Sequence, residues 1–491
     1  HIRKAEKKRT LTPDQEKAFK HVCKSGDLAM VSGFAGSGKS YTLGAVREAF
    51  ERQGYRVLGA SLAGVAADGL QKESGIQSRT LARLFYDLEK GKEQLNKKDI
   101  LVVDEAGMSA TRQMARLVEY ACENKTKLVL VGSTMQFQPI EAGGPFRAFL
   151  ERFESAELSE IRRQQIDWQK ECTKQLERGD DVGQALDAYI KHRRVYGHKT
   201  DNDVFRAIVD EWKVQKIIGD SNVVIAYKNE NVERLNELIR AEAVKIGVVT
   251  GKSREFQTVE AKRDEDLDKI REDELELKTR NIKRTFATGD RVLFLKNDSK
   301  VGVKNGNFGD ITKIRRNKMW VHLDGDEKQV VKFKVPTGGE SGLREILPSK
   351  LQRKELPTYG YIKHGYAATS HKLQGATVKR SIVFADGNVC DRHFALVALS
   401  RHKIDTSMHY SQETFKRGID QLKRALSRDR SKILATDSKE YTPERLKADL
   451  REQRRLKMIE KRFEEEARRE LDREENRKRG RSRSDDFGRG R

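Results

Sequence analysis

The chain has 491 residues, with 99 Lys+Arg against 76 Asp+Glu and a formal net charge of +23. Hydrophobic and charged residues each make up 36%. No apolar run approaches the ~20 residues of a spanning helix, which excludes an integral membrane protein, and only 7 Pro exclude a Pro-rich or collagen-like chain. The cationic excess suits a polyanion, whether nucleic acid, an acidic membrane surface or an acidic protein. At roughly 100–200 residues per domain, three or four domains are expected. Cys23, Cys122, Cys172 and Cys390 are far apart with no C-x-x-C pair, so free thiols and a cytoplasmic setting are expected. No apolar segment follows the basic start, and a chain beginning at His1 reads as a piece of a longer protein.

In chain order, residues 1–10 read as a basic linker. From 11 to 154, short apolar runs alternate with helical stretches. DLAMVSGF, YRVLGAS, DILVVDEA and KLVLVGS read as buried strands. Strands that are apolar throughout, with helices between them, imply a parallel sheet covered on both faces. Residues 155–245 read as mostly helical with one strand, SNVVIAY. The charged stretch 250–285 reads as a surface helix or an inserted loop. Within 246–357, residues 286–335 read as a small β-barrel, with hairpin signals at Asn305-Gly306 and Asp324-Gly325. Residues 358–435 return to α/β texture, with strands expected at RSIVFAD and HFALVALS. Residues 436–491 read as a charged helix running into disorder.

Two short strings carry chemistry. GFAGSGKS, from Gly33 to Ser40, fits G-x-x-x-x-G-K-[ST] between an expected strand and an expected helix. Gly33, Gly36, Ser37 and Gly38 would let backbone N–H groups close around phosphate oxygens at a helix N-terminus. Lys39 would neutralise the β- and γ-phosphates, and the Ser40 hydroxyl would ligate Mg²⁺. ILVVDEAG ends a second buried strand, where Asp104 would hold Mg²⁺ and Glu105 would activate water. The acidic pair argues for hydrolysis of the nucleotide, ATP.

With further motifs in order, the chain resembles a superfamily 1 helicase, and more closely the RecD-like helicase module of Ti-type conjugative relaxases. The resemblance spans about residues 10–410. LTPDQEKAF places Gln15 at the motif that reads adenine. GASLAGVAADGL with SGIQSRTLARL sits where the family touches single-stranded DNA, near Thr80. VGSTMQFQPI matches GDxxQLxP through Gly132, Gln136 and Pro139, and the resemblance makes Gln136 a γ-phosphate sensor. ELSEIRRQ carries Arg163 and ALSRHK carries Arg401, both implied to reach the γ-phosphate from a second core domain. HGYAATSHKLQG matches the DNA-contacting motif, bringing in Thr369, His371, Lys372, Gln374 and, at the nucleotide, Gly375.

The implied fold is two RecA-like P-loop NTPase lobes with parallel sheets, an inserted SH3-like barrel and a charged C-terminal tail. The implied activity is an ATP- and Mg²⁺-dependent DNA helicase moving 5′→3′ on single-stranded DNA. It would be the bacterial, cytoplasmic motor of a relaxase, with conjugative secretion proteins as further partners. Three positions depart from the pattern: Ser133 stands for the usual Asp, Val65 lies near a position that is often basic, and Ser400 replaces Thr. No His-x-His cluster is present, so nicking would have to lie upstream of His1. Competing readings are a recombination or repair helicase and a passive platform for single-stranded DNA. At single residues, a solvated surface cation is the lesser reading of Arg163 or Arg162. Phe294, Trp320 and Phe333 read as barrel core ahead of base-stacking residues.

Overall fold

The computed structural model describes residues 10–133, 135, 144–179, 182–220, 222–261, 279–324, 329–336, 356–387 and 390–430. The first sheet comprises β1 (Leu28–Gly33), β2 (Arg56–Ser61), β3 (Gln77–Thr80), β4 (Asp99–Asp104), β5 (Lys127–Gly132) and β6 (Ser155–Leu158). They run parallel in the order β3-β2-β4-β5-β1-β6. Side-chain parity explains why the strands are apolar throughout. Ala29, Val31, Ile100, Val102, Val129 and Val131 point to one core. Met30, Leu101, Val103, Leu128 and Leu130 point to the opposite one. Helices Pro13–Lys24 and Lys39–Glu51 cover the first face, and Leu81–Glu89, Thr111–Asn124 and Pro145–Arg152 the second.

The second sheet contains β7 (Val195–His198), β8 (Asn222–Ala226), β16 (Ala367–Thr369), β17 (Val378–Phe384) and β18 (His402–Ser411). It is also parallel, ordered β16-β8-β17-β18-β7. Val224, Ile382 and Phe384 pack against helices Asp201–Ile217 and Asn229–Lys245. Val223, Ile225, Val383 and Met408 pack on the other side with helices Asp167–Arg178, Val182–Lys191 and Arg392–Ser400. Between β8 and β16 the chain makes an antiparallel pair, β9 (Thr250–Ala261) and β10 (Thr279–Thr288), and then an antiparallel sheet. That sheet holds β11 (Arg291–Phe294), β12 (Phe308–Arg315), β13 (Lys318–Leu323), β14 (Val330–Lys334) and β15 (Ile362–His364), ordered β14-β13-β12-β11-β15.

Four expectations change. β6 pairs with β1, so the first sheet runs past residue 154. β15 pairs with β11, so the insertion runs past residue 357. The 250–285 stretch holds β9 and β10 where a helix or loop was expected; the alternation at Phe256 and Thr258, both buried, outweighs the surrounding charge. HFALVALS lies in the helix Arg392–Ser400 rather than in a strand. It is capped by Asp391, which accepts from Phe394 N at 2.9 Å. A short apolar run buried on all sides has no period to separate helix from strand. The strand there is instead β18, whose polar Asp405, Thr406, Ser407 and His409 are buried. The linker 1–9 and the tail 436–491 lie outside the described residues.

In the barrel-like insertion, Phe294 and Phe333 are fully buried, and Phe294 packs at 5.8 Å from Phe333 and 5.7 Å from Tyr359. Trp320 is not core. It is half-buried on the opposite face of β13, with Lys332 and Lys313 at 4.9 and 5.6 Å from its ring. Strand parity sends Met319 and Val321 inward and Trp320 outward. Phe294→Ala is therefore expected to destabilise the protein by about 3–5 kcal/mol in denaturant unfolding. Trp320→Ala is expected to cost roughly 1 kcal/mol or less, the worth of exposed cation–π contacts.

Candidate functional site

β1 ends at Gly33, and the chain turns through Phe34–Gly38 into helix Lys39–Glu51. Gly38 caps that helix at φ 82°, in the left-handed region that favours glycine. Gly36 is also left-handed, and a Cβ there would lie 2.5 Å from the Arg163 Cβ. The loop is therefore glycine-rich both to turn and to let another segment approach. That segment follows β6: Arg162 N and Arg163 N donate to Gly36 O at 2.8 and 3.2 Å.

A cavity of about 370 Å³ opens over the loop. Ala35, Gly36, Ser37, Gly38, Lys39 and Ser40 form its floor, Asp104 and Glu105 enter from the end of β4, and Ala66, Gly69 and Glu73 from helix Gly64–Ser74. Gly375, Thr377, Arg401 and Lys403 come from the second lobe. Of the residues singled out in the sequence, Lys39, Ser40, Asp104, Glu105, Arg163, Gly375 and Arg401 all line this cavity. One placement differs. Arg163 follows a first-sheet strand and is tied by its backbone to the phosphate loop, so it does not arrive from the second lobe. It bridges to that lobe, donating from Nη1 to Ser400 O at 3.0 Å. The accepting group is a backbone carbonyl, so Ser in place of Thr at 400 leaves this contact intact.

The electrostatics suit a polyanion. Five cations (Lys39, Arg162, Arg163, Arg401, Lys403) face three carboxylates (Glu73, Asp104, Glu105) around the cavity. Arg401 is 2% exposed, yet its Nε and Nη2 have no hydrogen-bond partner among the described residues. Burial pushes its guanidinium below the usual arginine range, and burial together with Arg401 lowers Arg163 to about 10. The buried Ser37 Oγ also lacks a partner among the described residues. Lys39 Nζ donates to Gly33 O at 2.9 Å and Phe34 O at 3.2 Å. Buried donors of this kind are costly without an acceptor, and phosphate oxygens supply acceptors. The residues thus fit a nucleotide. Asp104 is pushed upward by burial and by neighbouring Glu105, with Lys39 opposing. A divalent cation at Asp104 and Ser40 would relieve that repulsion. Glu105 sits at φ 55°, a conformation rarely held by a non-glycine residue and one that clusters at functional sites.

Other expected residues lie apart from the cavity. Gln15 is buried, accepting from Thr12 N at 3.2 Å and donating from Nε2 to Ser37 O at 3.1 Å. It braces the phosphate loop here and does not line the cavity. Thr80 caps helix Leu81–Glu89 by accepting from Arg83 N at 3.2 Å. Thr369 ends β16, and the turn after it carries exposed His371 and Lys372, then buried Gln374, then Gly375 at the cavity. One short turn thus touches both the cavity and the outer surface. His371 lies beside Tyr227, with ring centroids 6.0 Å apart, and Lys372 Nζ donates to Asn305 Oδ1 at 3.1 Å. Val65 packs under the insertion, since a Cβ on Gly306 would lie 3.0 Å from its Cγ2. Gln136 and Pro139 lie outside the described residues.

Sequence reasoning missed Glu73, Arg162 as a cavity residue, Lys403 and Glu177. Glu177, buried on helix Asp167–Arg178, accepts from Ala35 N at 2.5 Å and from Ser133 Oγ at 2.7 Å. Its only signal was a charged residue on the buried side of an amphipathic helix.

Two measurements test this electrostatic reading. Arg401→Met removes a buried cation whose Nε and Nη2 have no partner, so the melting temperature is expected to hold or rise while nucleotide turnover falls roughly 10³-fold or more. His402, fully buried between Gln164 and Gln169, is lowered to about 3 by burial and by Arg163. The folded state therefore holds it neutral. Its contribution is present above the unfolded value of about 6.5 and is lost as pH falls toward 3, at about 1.4 kcal/mol per pH unit. Unfolding in denaturant at pH 7 and pH 5 checks this; His402→Gln should flatten the dependence.

A family model described as an AAA domain matches residues 10–200. The chain is 35% identical over 434 residues to a probable conjugal transfer protein TraA from Sinorhizobium fredii, covering 88% of this chain and 35% of that protein. It is 25% identical over 325 residues to the ATP-dependent DNA helicase Pif1 of a Psychrobacter species, covering 59% of this chain and 45% of the relative. The chain spans about a third of the length of the TraA proteins it matches. The structure of Pif1 helicase from Bacteroides in complex with ADP-AlF3 and single-stranded DNA superposes with a TM-score of 0.51 at 19% identity. The match covers 81% of this chain and 92% of that one, a likeness of fold. Among the described residues no helix is long and apolar enough to cross a membrane. Two parallel lobes meet over a phosphate loop, and the chain is similar in sequence to TraA and Pif1 proteins.

Proposed function

We propose that the chain is an ATP-dependent motor that moves 5′→3′ along single-stranded DNA and serves as the C-terminal helicase of a conjugative relaxase. The observation that carries this is the buried Arg401, with Nε and Nη2 unpartnered among the described residues, which shares one cavity with Lys39, Asp104, Glu105 and Arg163. A binding platform has no use for a buried cation there, because its desolvation cost is offset only when a phosphate arrives. In this reading Lys39 and the loop amides hold the β- and γ-phosphates of ATP. Ser40 and Asp104 would hold Mg²⁺, which would supply positive charge against the phosphates. Glu105 orients and deprotonates the attacking water, while Arg163 and Arg401 stabilise the charge that develops on the transferred phosphoryl group. Gln136 would report the γ-phosphate, and Gln15 would reach adenine by leaving Ser37.

Movement follows from where these groups sit. Arg401 and Gly375 belong to the second lobe, and Lys39, Asp104 and Glu105 to the first, so ATP draws the lobes together and hydrolysis releases them. The turn Thr369–Gly375 connects the cavity to His371 and Lys372 and would carry that movement to a DNA strand held with Thr80 and Gln374. The net charge of +23 favours sequence-independent, salt-sensitive affinity for such a strand. Conjugative secretion proteins are the further partners this role implies.

ATPase activity is expected to rise on adding single-stranded DNA, and a partial duplex with a 5′ tail should be unwound in preference to one with a 3′ tail. Lys39→Ala should abolish turnover while leaving affinity for single-stranded DNA within about threefold, since Lys39 faces phosphate and not the strand. Retained DNA binding with no stimulation of the wild-type ATPase would sink the motor and favour the passive platform.

A further inference from the structure

Ser133 occupies a position where the resemblance leads one to expect an acid, and the structure provides an acid there from elsewhere. Helix Asp167–Arg178 is rooted in the second-lobe core through Cys172 and Leu176. Glu177, one turn or less from the helix end, leaves that core and reaches the first lobe. One carboxylate oxygen accepts from Ala35 N, inside the phosphate loop, and the other from Ser133 Oγ, just after β5. Ser133 Oγ in turn accepts from Met135 N at 3.1 Å. The second lobe holds the same segment once more, where the His393 ring Nδ1 lies 2.9 Å from Met135 O. The helix closes on it as well: a Cβ on Gly179 would lie 2.6 Å from Met135 Cε.

Stability alone is a poor explanation for such a group. Glu177 is 4% exposed, and among the described residues its hydrogen bonds come from one amide and one hydroxyl, with no ion pair within 4 Å. A buried carboxylate in that setting is costly. Burial raises its pKa, and the field of Lys39, the phosphate-binding cation, is the largest effect opposing the rise. The carboxylate therefore feels the residue that a nucleotide would engage.

We infer that Glu177 is a positioning residue through which the second lobe grips the phosphate loop and the Ser133 segment together, coupling nucleotide turnover to lobe closure. The inference rests on the motor reading above. It assigns to a second-lobe helix the carboxylate that Ser133 cannot provide. Both arms are hydrogen bonds to the first lobe, so lobe opening must break them, and the loop amide at Ala35 is released in the same step.

The test compares wild type with Glu177→Ala, Glu177→Gln and Ser133→Ala, reading the ratio of DNA-stimulated to basal ATP turnover and the KM for ATP. Glu177→Ala should lower the ratio by at least about fivefold, more than it changes KM. Glu177→Gln should keep the ratio within about twofold, because its amide oxygen accepts from Ala35 and its NH2 donates to Ser133 Oγ. Ser133→Ala, which removes one arm and little bulk, should fall between. Hydrogen exchange at the Ala35 amide in the nucleotide-free protein provides a DNA-independent readout: faster in Glu177→Ala, restored in Glu177→Gln. A wild-type ratio in folded Glu177→Ala, or unchanged Ala35 exchange, overturns the inference. Absence of DNA stimulation in the wild type would instead overturn the motor reading, while the exchange data would still decide whether Glu177 grips the loop.

Discussion

Buried Arg401 and half-buried Arg163 repel each other within one cavity, and neither side chain forms a carboxylate ion pair within 4 Å among the described residues. Arg163 is fastened through its backbone to Gly36 O and through Nη1 to Ser400 O, while Arg401 leaves two guanidinium nitrogens unpartnered. Removing such charges from water is unfavourable unless an anion arrives. The arrangement therefore stores a demand for negative charge between two lobes, and a polyphosphate bound at Lys39 satisfies it. Closing the cleft and binding the ligand become one process. Much of the architecture serves to hold these guanidiniums in place: the backbone tie of the Arg162–Arg163 segment to the loop, the polar buried strand β18 behind Arg401, and the Gln164, Gln169 and His402 network beside it.

The two lobes are built alike but contribute differently. The first supplies the C-terminal ends of β1 and β4, where the loop and the acidic pair project, in keeping with ligand binding at the carboxyl edge of parallel sheets. The second supplies the residue just before β18 and the turn after β16. That turn is short enough that Gly375 reaches the nucleotide cavity while His371 and Lys372 remain exposed. The inserted antiparallel sheet is not remote from this machinery. Lys304 pairs with Asp68, and Asn305 meets Lys372, so the insertion touches both lobes close to the expected strand contacts.

Much of the site was legible before any coordinates. The phosphate loop needs glycine where φ is positive and where Arg163 approaches, and β4 must end in carboxylates at the loop; both are local requirements with short-range spelling. The parallel lobes were readable from strands that are apolar at every position. What failed to show was of another kind. HFALVALS is buried all round and so has no amphipathic period, β18 is a core strand written in polar residues, and β9 and β10 are strands among charges. Trp320 reads as barrel core in the sequence, but its strand parity sends it outward between Lys313 and Lys332.

Sequence by itself determined which groups are available for chemistry: Lys39, Ser40, Asp104, Glu105, Arg163 and Arg401. The first four depend on residue type and on spacing within one strand–loop–helix unit or at one strand end, and the two arginines on the resemblance. Only the tertiary structure decided how they meet. It placed Arg163 on the first sheet's side of the cleft, turned Gln15 against Ser37, and brought Glu177 to Ala35, 142 positions away, and to Ser133, 44 positions away. These contacts join segments distant in the chain, within the first lobe for Gln15 and between the lobes for Glu177, and a pairing between distant segments leaves no periodic trace in either segment.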